Sequence, residues 1–289
     1  MEVEQTPPVA ERSLLPPVKN TSSPSTLGDL LREFYRSARS SGSWLYTSWI
    51  EILLDYRSTA LGPLWISVGT ALFVFVIGSL YGRVVLSGDS NIYMAHLAVG
   101  LVLWYLLNRT IVMGCRVFVV NRNTILDGAT TYPNALLKLV STNLILLAHN
   151  VLVIVLVFLY VGLVPSLTAL LLIFTLPLVV ANLLWMCVIA AILGARYVDF
   201  QETVQSAMRL LFFMTPILWI PHEHVRGAIV DAAIYLNPFY YLIEVIRGPL
   251  VYGQVPLLEI GVVVIALPIG WLLASVLYKR TRTSIALWL

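Results

Sequence analysis

The stretch from Leu139 to Ala195 runs for 57 residues without a single Asp, Glu, Lys or Arg. A helix crosses a bilayer core with about 20 apolar residues, so this segment holds two spans. Gly162 and Pro165 place the turn between them at Val161 to Ser166. The rest of the chain agrees. Of its 289 residues 59% are hydrophobic and 11% charged, with a mean hydropathy of +0.86, too few solvating side chains for a water-soluble fold of this size. An all-α integral membrane protein is expected, without a nucleic-acid partner.

Four further spans are predicted. Arg57 and Arg83 bracket 25 uncharged residues, and Asp89 and Arg109 bracket 19, giving spans near Leu61 to Tyr81 and Ile92 to Arg116. A polar segment, Asn121 to Pro133, follows. The fifth span is expected at Thr203 to Ile220, kinked at Pro216. The sixth runs from Pro256 to Tyr278, before the basic residues Lys279, Arg280 and Arg282.

Between the last two spans the apolar pattern is broken. The charge-free runs Leu210 to His222 and Ala232 to Ile243 have 13 and 12 residues, too short to span alone. Extending the second would carry Asp231, or Glu244 and Arg247, into lipid at roughly 2.5 to 3.5 kcal/mol per charge. A re-entrant cap over 221–250 is therefore expected, lining a passage for something polar or forming a buried hairpin.

Ahead of the spans, residues 1–26 read as a disordered cytoplasmic tail and 27–57 as amphipathic interfacial helices. Leu27, Leu30, Leu31, Phe34 and Ala38 form one stripe. After a flexible Ser40 to Ser43, Trp44, Leu45, Trp49, Ile52, Leu53 and Tyr56 form another. Docking on a partner would use the same stripe. Residues 58–289 make the six-span domain. With both termini in the cytoplasm, 14 of the 18 Lys and Arg lie at or near that side, leaving Arg83, Arg226 and Arg247 outside and Arg109 within the second span.

No enzyme site declares itself. There is no GxxxxGK[ST] phosphate loop and no DxD pair; His222 and His224 flank Glu223 without HExxH spacing, so no metal is expected. His149 reads as a packing residue, and Cys115 and Cys187 as small buried apolar groups. No carboxylate falls in the centre of any span, so a proton relay is missing and transport energy must come from elsewhere. Arg109 is either structural or a contact for an anionic substrate. The aromatics Tyr81, Tyr93, Trp104, Tyr105, Phe212, Phe213, Trp219, Tyr235, Phe239, Tyr240 and Tyr241 cluster towards the outer half, as an interfacial belt or a path for flat sugar faces. The GxxxG from Gly78 to Gly82 suits close helix approach and suggests a dimer face.

Several motifs, in order across residues 50–289, resemble the permeases of ABC exporters for O-antigen, capsular and teichoic acid polymers. They are YRSTALGPLW from Tyr56 to Trp65, ARYVDF from Ala195 to Phe200, TPILW from Thr215 to Trp219, NPF from Asn237 to Phe239 with Arg247 beyond it, and the short basic C-terminus. Two features depart from the family's usual pattern: Asp55 stands where a basic residue is common, and Ser67 to Thr70 lacks a proline. The resemblance implies a homodimeric half-transporter of the bacterial inner membrane, with no cofactor of its own, paired with two copies of an ATPase that binds ATP and Mg. It implies a coupling segment at 121–132, with Asn121, Arg122, Asn123, Thr124, Leu126, Asp127 and Tyr132, and a second ATPase contact at Arg196, Tyr197 and Asp199. Its substrate would be a polysaccharide on undecaprenyl pyrophosphate, entering between the first and fifth spans, where Arg57 and Arg209 could grip the pyrophosphate. The alternatives are a teichoic acid or small hydrophobic drug exporter of the same fold, a membrane glycosyltransferase or acyltransferase, and a structural subunit without a pathway.

Overall fold

The computed structural model describes residues 28–39, 41–62, 64–84, 90–221 and 227–289; the N-terminal tail and the residues His222, Glu223, His224 and Arg226 lie outside them. All regular structure among the described residues is helical. Five helical segments are long and apolar enough to cross a membrane: Leu64–Tyr81, Asn91–Gly114, Tyr132–Val161, Leu167–Arg196 and Leu257–Trp288. They correspond to α3 (Leu64–Val84), α4 (Ser90–Gly114), α7 (Tyr132–Val161), α8 (Leu172–Arg196) with a preceding turn of 3-10 helix, and α12 (Leu257–Trp288).

Two of these helices are longer than charge placement predicts. Lys138 looks like a boundary in sequence, yet α7 begins at Tyr132, because Thr131 caps it by accepting from the Asn134 N–H and Pro133 suits the first turn. Lys138 pairs with Glu51 at 3.1 Å. Likewise α12 continues through the basic residues Lys279, Arg280 and Arg282 to Trp288, and Arg282 is paired with Glu33. The turn at Gly162 is as expected: its φ of 72° is the left-handed value a helix end needs, and the Leu163 N–H returns to Phe158 O.

The expected fifth span is different. α9 (Phe200–Met214) has 15 residues, about 22 Å of helix, and stops short of Pro216. Thr215 is extended, so the helix ends rather than kinks. Beyond it come α10 (Ala228–Tyr235), α11 (Pro238–Arg247) and a π-helical turn, Gly248–Tyr252.

α4 is the hub. It packs on α3, α7 and α8, and α9 and α11 also rest on it. Crossings are close where glycine permits: a Cβ at Gly194 of α8 would stand 1.9 Å from Cys115 O. Gly78 meets Met94 of α4, so this half of the GxxxG is used inside the chain. Both cysteines are buried, and His149 bonds to Ile145 O at 2.8 Å, as a packing residue should.

At the end of the bundle where α7 begins, α1 (Asp29–Arg39) and α2 (Ser41–Asp55) are docked on the chain itself. The expected flexible link shrinks, because α2 already starts at Ser41. Leu30 and Phe34 are buried, Phe34 stands edge-on to Trp271 at 5.2 Å, and Glu33 accepts from Tyr278 Oη at 2.7 Å. Ser48 donates to Lys138 O at 2.9 Å, and Ile52 is buried, whereas Leu45, Trp49 and Leu53 stay exposed. The apolar stripe of α2 is thus split between α7 and an open face. Two short helices, α5 (Val117–Val120) and α6 (Arg122–Leu126), close this end.

Candidate functional site

Beyond Met214 the backbone is no longer helical, so the carbonyls of Pro216, Leu218 and Trp219 have no helical partners. Side chains of α4 and α11 take them. Arg247 of α11, which is 1% exposed, donates from Nη1 to Pro216 O at 2.6 Å and from Nε to Glu244 Oε2 at 3.0 Å. His96 of α4, 0% exposed, has Nε2 at 3.1 Å from Pro216 O, 3.2 Å from Trp219 O and 3.1 Å from Arg247 Nη1, and Nδ1 at 2.6 Å from Tyr252 Oη. Tyr93 of α4 donates to Leu218 O at 2.8 Å.

Burial pushes the Tyr252 phenol up to about 12, with the Arg247 charge pulling it down and Glu244 pushing it up. It is therefore protonated at neutral pH, and the Nε2–H tautomer of His96 accepts its proton at Nδ1 while offering Nε2–H to the freed carbonyls. Gly100 makes room: the Cβ of any larger residue would stand 3.3 Å from Arg247 Nη1. Asn237 completes the joint, donating to Thr215 Oγ1 at 2.7 Å while its Oδ1 caps α11 at the Phe239 N–H. Arg247, expected on the outer side, is the buried centre of this network. His96 and Tyr252 were not singled out from sequence, and Glu244 only as a charge that bars a span; the position of His96, four residues inside an apolar run, was the available signal.

Around this joint the expected aromatics divide. Phe213, Phe212, Trp104 and Phe239 form a continuous line, with ring centroids 5.4, 5.6 and 5.8 Å apart in succession. Tyr235, Tyr240 and Tyr241 form a second group at 6.4 and 5.2 Å. Trp219 donates to Phe213 O at 3.1 Å and folds back on the first line. Tyr93 is buried in the joint, and Tyr81 is exposed on α3.

Tyr105 and Arg109 lie elsewhere. They are one and five positions past Trp104, about 100° and 140° round the helix. They line a groove beside α7 together with Asn143, which accepts from Arg109 Nε at 3.0 Å and donates to Thr110 Oγ1 at 3.1 Å. Arg57 and Arg209 are exposed, and Arg209 donates to Ser206 Oγ at 3.0 Å. α3 rests on α4 and α7, while α9 rests on α4 and α8, and no described contact joins the two arginines.

At the opposite end, the expected coupling residues form a protruding surface. Arg122, Asn123, Thr124, Leu126 and Asp127 are exposed on and after α6. Asn121 donates to Val117 O at 2.7 Å and fixes the bend between α5 and α6, and Tyr132 is wedged against Phe118 at 5.0 Å. The second expected contact adjoins the C-terminal helix: the Arg196 guanidinium stands 5.2 Å from the Tyr197 ring and 5.5 Å from Trp288. Val198 is 94% exposed and Asp199 is open. Among the described residues no cluster of His, Cys, Asp and Glu could hold a metal.

No curated protein matches the chain. Residues 43–251, from within α2 to the π-helical turn, match the ABC-2 type transporter family. That segment contains α3 to α11, including the joint, the aromatic lines and the protruding α5 and α6. The chain belongs to the ABC-2 type transporter family, as the multi-pass membrane component of an ABC exporter, in a family whose permeases normally pair with an ATPase subunit.

Proposed function

We propose that this chain is one half of a homodimeric exporter that carries a lipid-linked polysaccharide of the O-antigen type from the cytoplasmic leaflet across the inner membrane. A separate ATPase supplies the energy, and both termini face the cytoplasm. The observation that carries this reading is the aromatic line from Phe213 through Phe212 and Trp104 to Phe239, beside a broken helix. The rings stand edge-on or tilted to one another, with Phe213 exposed, Phe212 half-buried and Trp104 and Phe239 buried. Opened by a tilt of α9, such a line would give sugar faces many weak, similar contacts, so a polymer could slide without meeting one deep well.

In this reading α9 is the fifth span and α10, α11 and the π-helical turn form the re-entrant cap. Support comes from their attachments: Asn237 holds Thr215, Arg247 holds Pro216, and Thr168 holds Pro249 O at 2.9 Å. The segment thus starts, bends and ends at one end of the bundle. Irregular backbone at membrane depth requires satisfied polar groups, and the joint supplies them. The open face of α2, with Leu45, Trp49 and Leu53, would lie in the cytoplasmic interface. α6 would seat in the ATPase, with Arg196, Tyr197 and Asp199 as the second contact, and Arg57 and Arg209 would receive the lipid pyrophosphate.

Deletion of this chain in its native host, scored by extraction and blotting of surface glycan, tests the substrate. Loss of polymer at the surface with lipid-linked polymer accumulating inside is the expected result. Unchanged surface glycan, with ATPase activity of the purified complex raised by small hydrophobic compounds, would instead point to a drug exporter.

A further inference from the structure

A groove on the α7 side of α4 is separate from both aromatic lines and has its own chemistry. Its upper chamber, about 460 Å³, is walled by Ile66, Val102, Leu106, Leu146 and Leu147, with Tyr105 at its edge. Its lower chamber, about 120 Å³, is reached past Met113 and carries Glu51, Asp55, Asn121 and Lys138. Arg109, Met113 and Asn143 line both.

Arg109 uses only Nε within the chain, on Asn143. Its terminal nitrogens meet no described acceptor, and the residue lines both the larger chamber, mainly aliphatic but holding Asn108, Asn143 and Asn150, and the smaller one, where the charged side chains gather. A guanidinium this close to the span's interior is costly unless something anionic meets it. Below it the charges change sign. Lys138 is paired with Glu51 at 3.1 Å, which leaves Asp55 exposed at the mouth. Along the groove the order is therefore a mainly aliphatic wall, a cation, then a carboxylate.

We propose that this groove binds a zwitterionic aminophospholipid of the phosphatidylethanolamine type. One acyl chain fills the upper chamber, the phosphate receives the free end of Arg109, and the ammonium reaches Asp55. A lipid with net negative charge would satisfy Arg109 but meet Asp55 unfavourably. A polyprenyl pyrophosphate would add more negative charge there and a tail far larger than the chamber. The groove is then a resident-lipid site and not the substrate's entrance, and it is independent of which polymer is exported.

The test is native mass spectrometry of the full chain in detergent, titrated with palmitoyl-oleoyl phosphatidylethanolamine, phosphatidylglycerol and phosphatidylcholine. Phosphatidylethanolamine should be retained about fivefold over phosphatidylglycerol, the scale of one partly exposed charge pair. R109Q should lose retention of all phospholipids at this site, and D55K, an exposed change, should reverse the preference towards phosphatidylglycerol. If R109Q does not fold, M113W, which plugs the junction of the two chambers and leaves both charges in place, should abolish retention in its stead. Equal retention of the two lipids by the unmodified chain would overturn the proposal. So would a D55K preference unchanged from the original, or displacement of phosphatidylethanolamine by a lower concentration of undecaprenyl phosphate.

Discussion

Arg247 shows how a charge can lie buried at the end of a membrane bundle. Its neighbours are a carboxylate one turn away and a carbonyl that lost its own partner where α9 stopped. Removing one side of such a pair leaves the other uncompensated, at about 3 to 5 kcal/mol. R247M should therefore lower the thermal unfolding midpoint in detergent sharply, and adding E244Q to it should restore part of the loss. A double variant no more stable than R247M alone would mean that Glu244 is held by something else. In sequence this arginine was visible as a charge that could not enter lipid and as the residue beyond the NPF motif, but not as a clasp, because the carbonyl it holds lies 31 positions away. Residues whose environment is local, such as Gly162 at a helix end and the cysteines within apolar runs, were legible directly.

Among the elements, legibility followed whether charge marks a boundary. It did for α3 and for the start of α4, while Arg109 lies inside α4, bonded to Asn143. It failed for α7 and α12, where Lys138 and Arg282 sit inside helices because Glu51 and Glu33, far away in the chain, neutralise them. It failed again at α9, whose apolar run continues past a break set by backbone geometry at Thr215. Asn237 ties that break to the start of α11, so N237A should cost about 1 to 2 kcal/mol as a lost cap. Hydrogen exchange should rise first in 215–221 and 236–241, and a uniform rise across the bundle would contradict this local role. At the other end α6 has no buried residue, so its surface is free for a partner. R122E combined with D127K should leave protein level and melting unchanged while lowering ATP-driven transport about tenfold or more, within the usual range of coupling energies. Transport kept at the original rate would remove α6 from the coupling path.

For the whole molecule, the sequence pattern conveyed a helical membrane bundle and its approximate spans. It could not convey which faces meet, because nearly every face is apolar. The aromatic set illustrates this: residues that read as one outer cluster are divided by the winding of α4 between two sides of the same helix. Sidedness is directly measurable. With Cys115 and Cys187 replaced by Ala, single cysteines at Thr124 and Lys279 should react with a membrane-impermeant maleimide only after the cytoplasmic face is opened. Cysteines at Ser166 and Gln254 should react in intact cells. Labelling of Ser166 and Gln254 from opposite sides would mean that the segment after α9 crosses the bilayer.

The joint at Pro216 carries a mechanical implication. Because the segment that follows α9 has its carbonyls clasped by Tyr93, His96 and Arg247, it cannot slide along α4 in small steps; each clasp is either made or released. Tilting α9 from its far end would therefore swing its tip, the top of α4 and the π-helical turn together, like a door with its frame, and any gap between Phe212 and Trp104 would open in one motion instead of fraying.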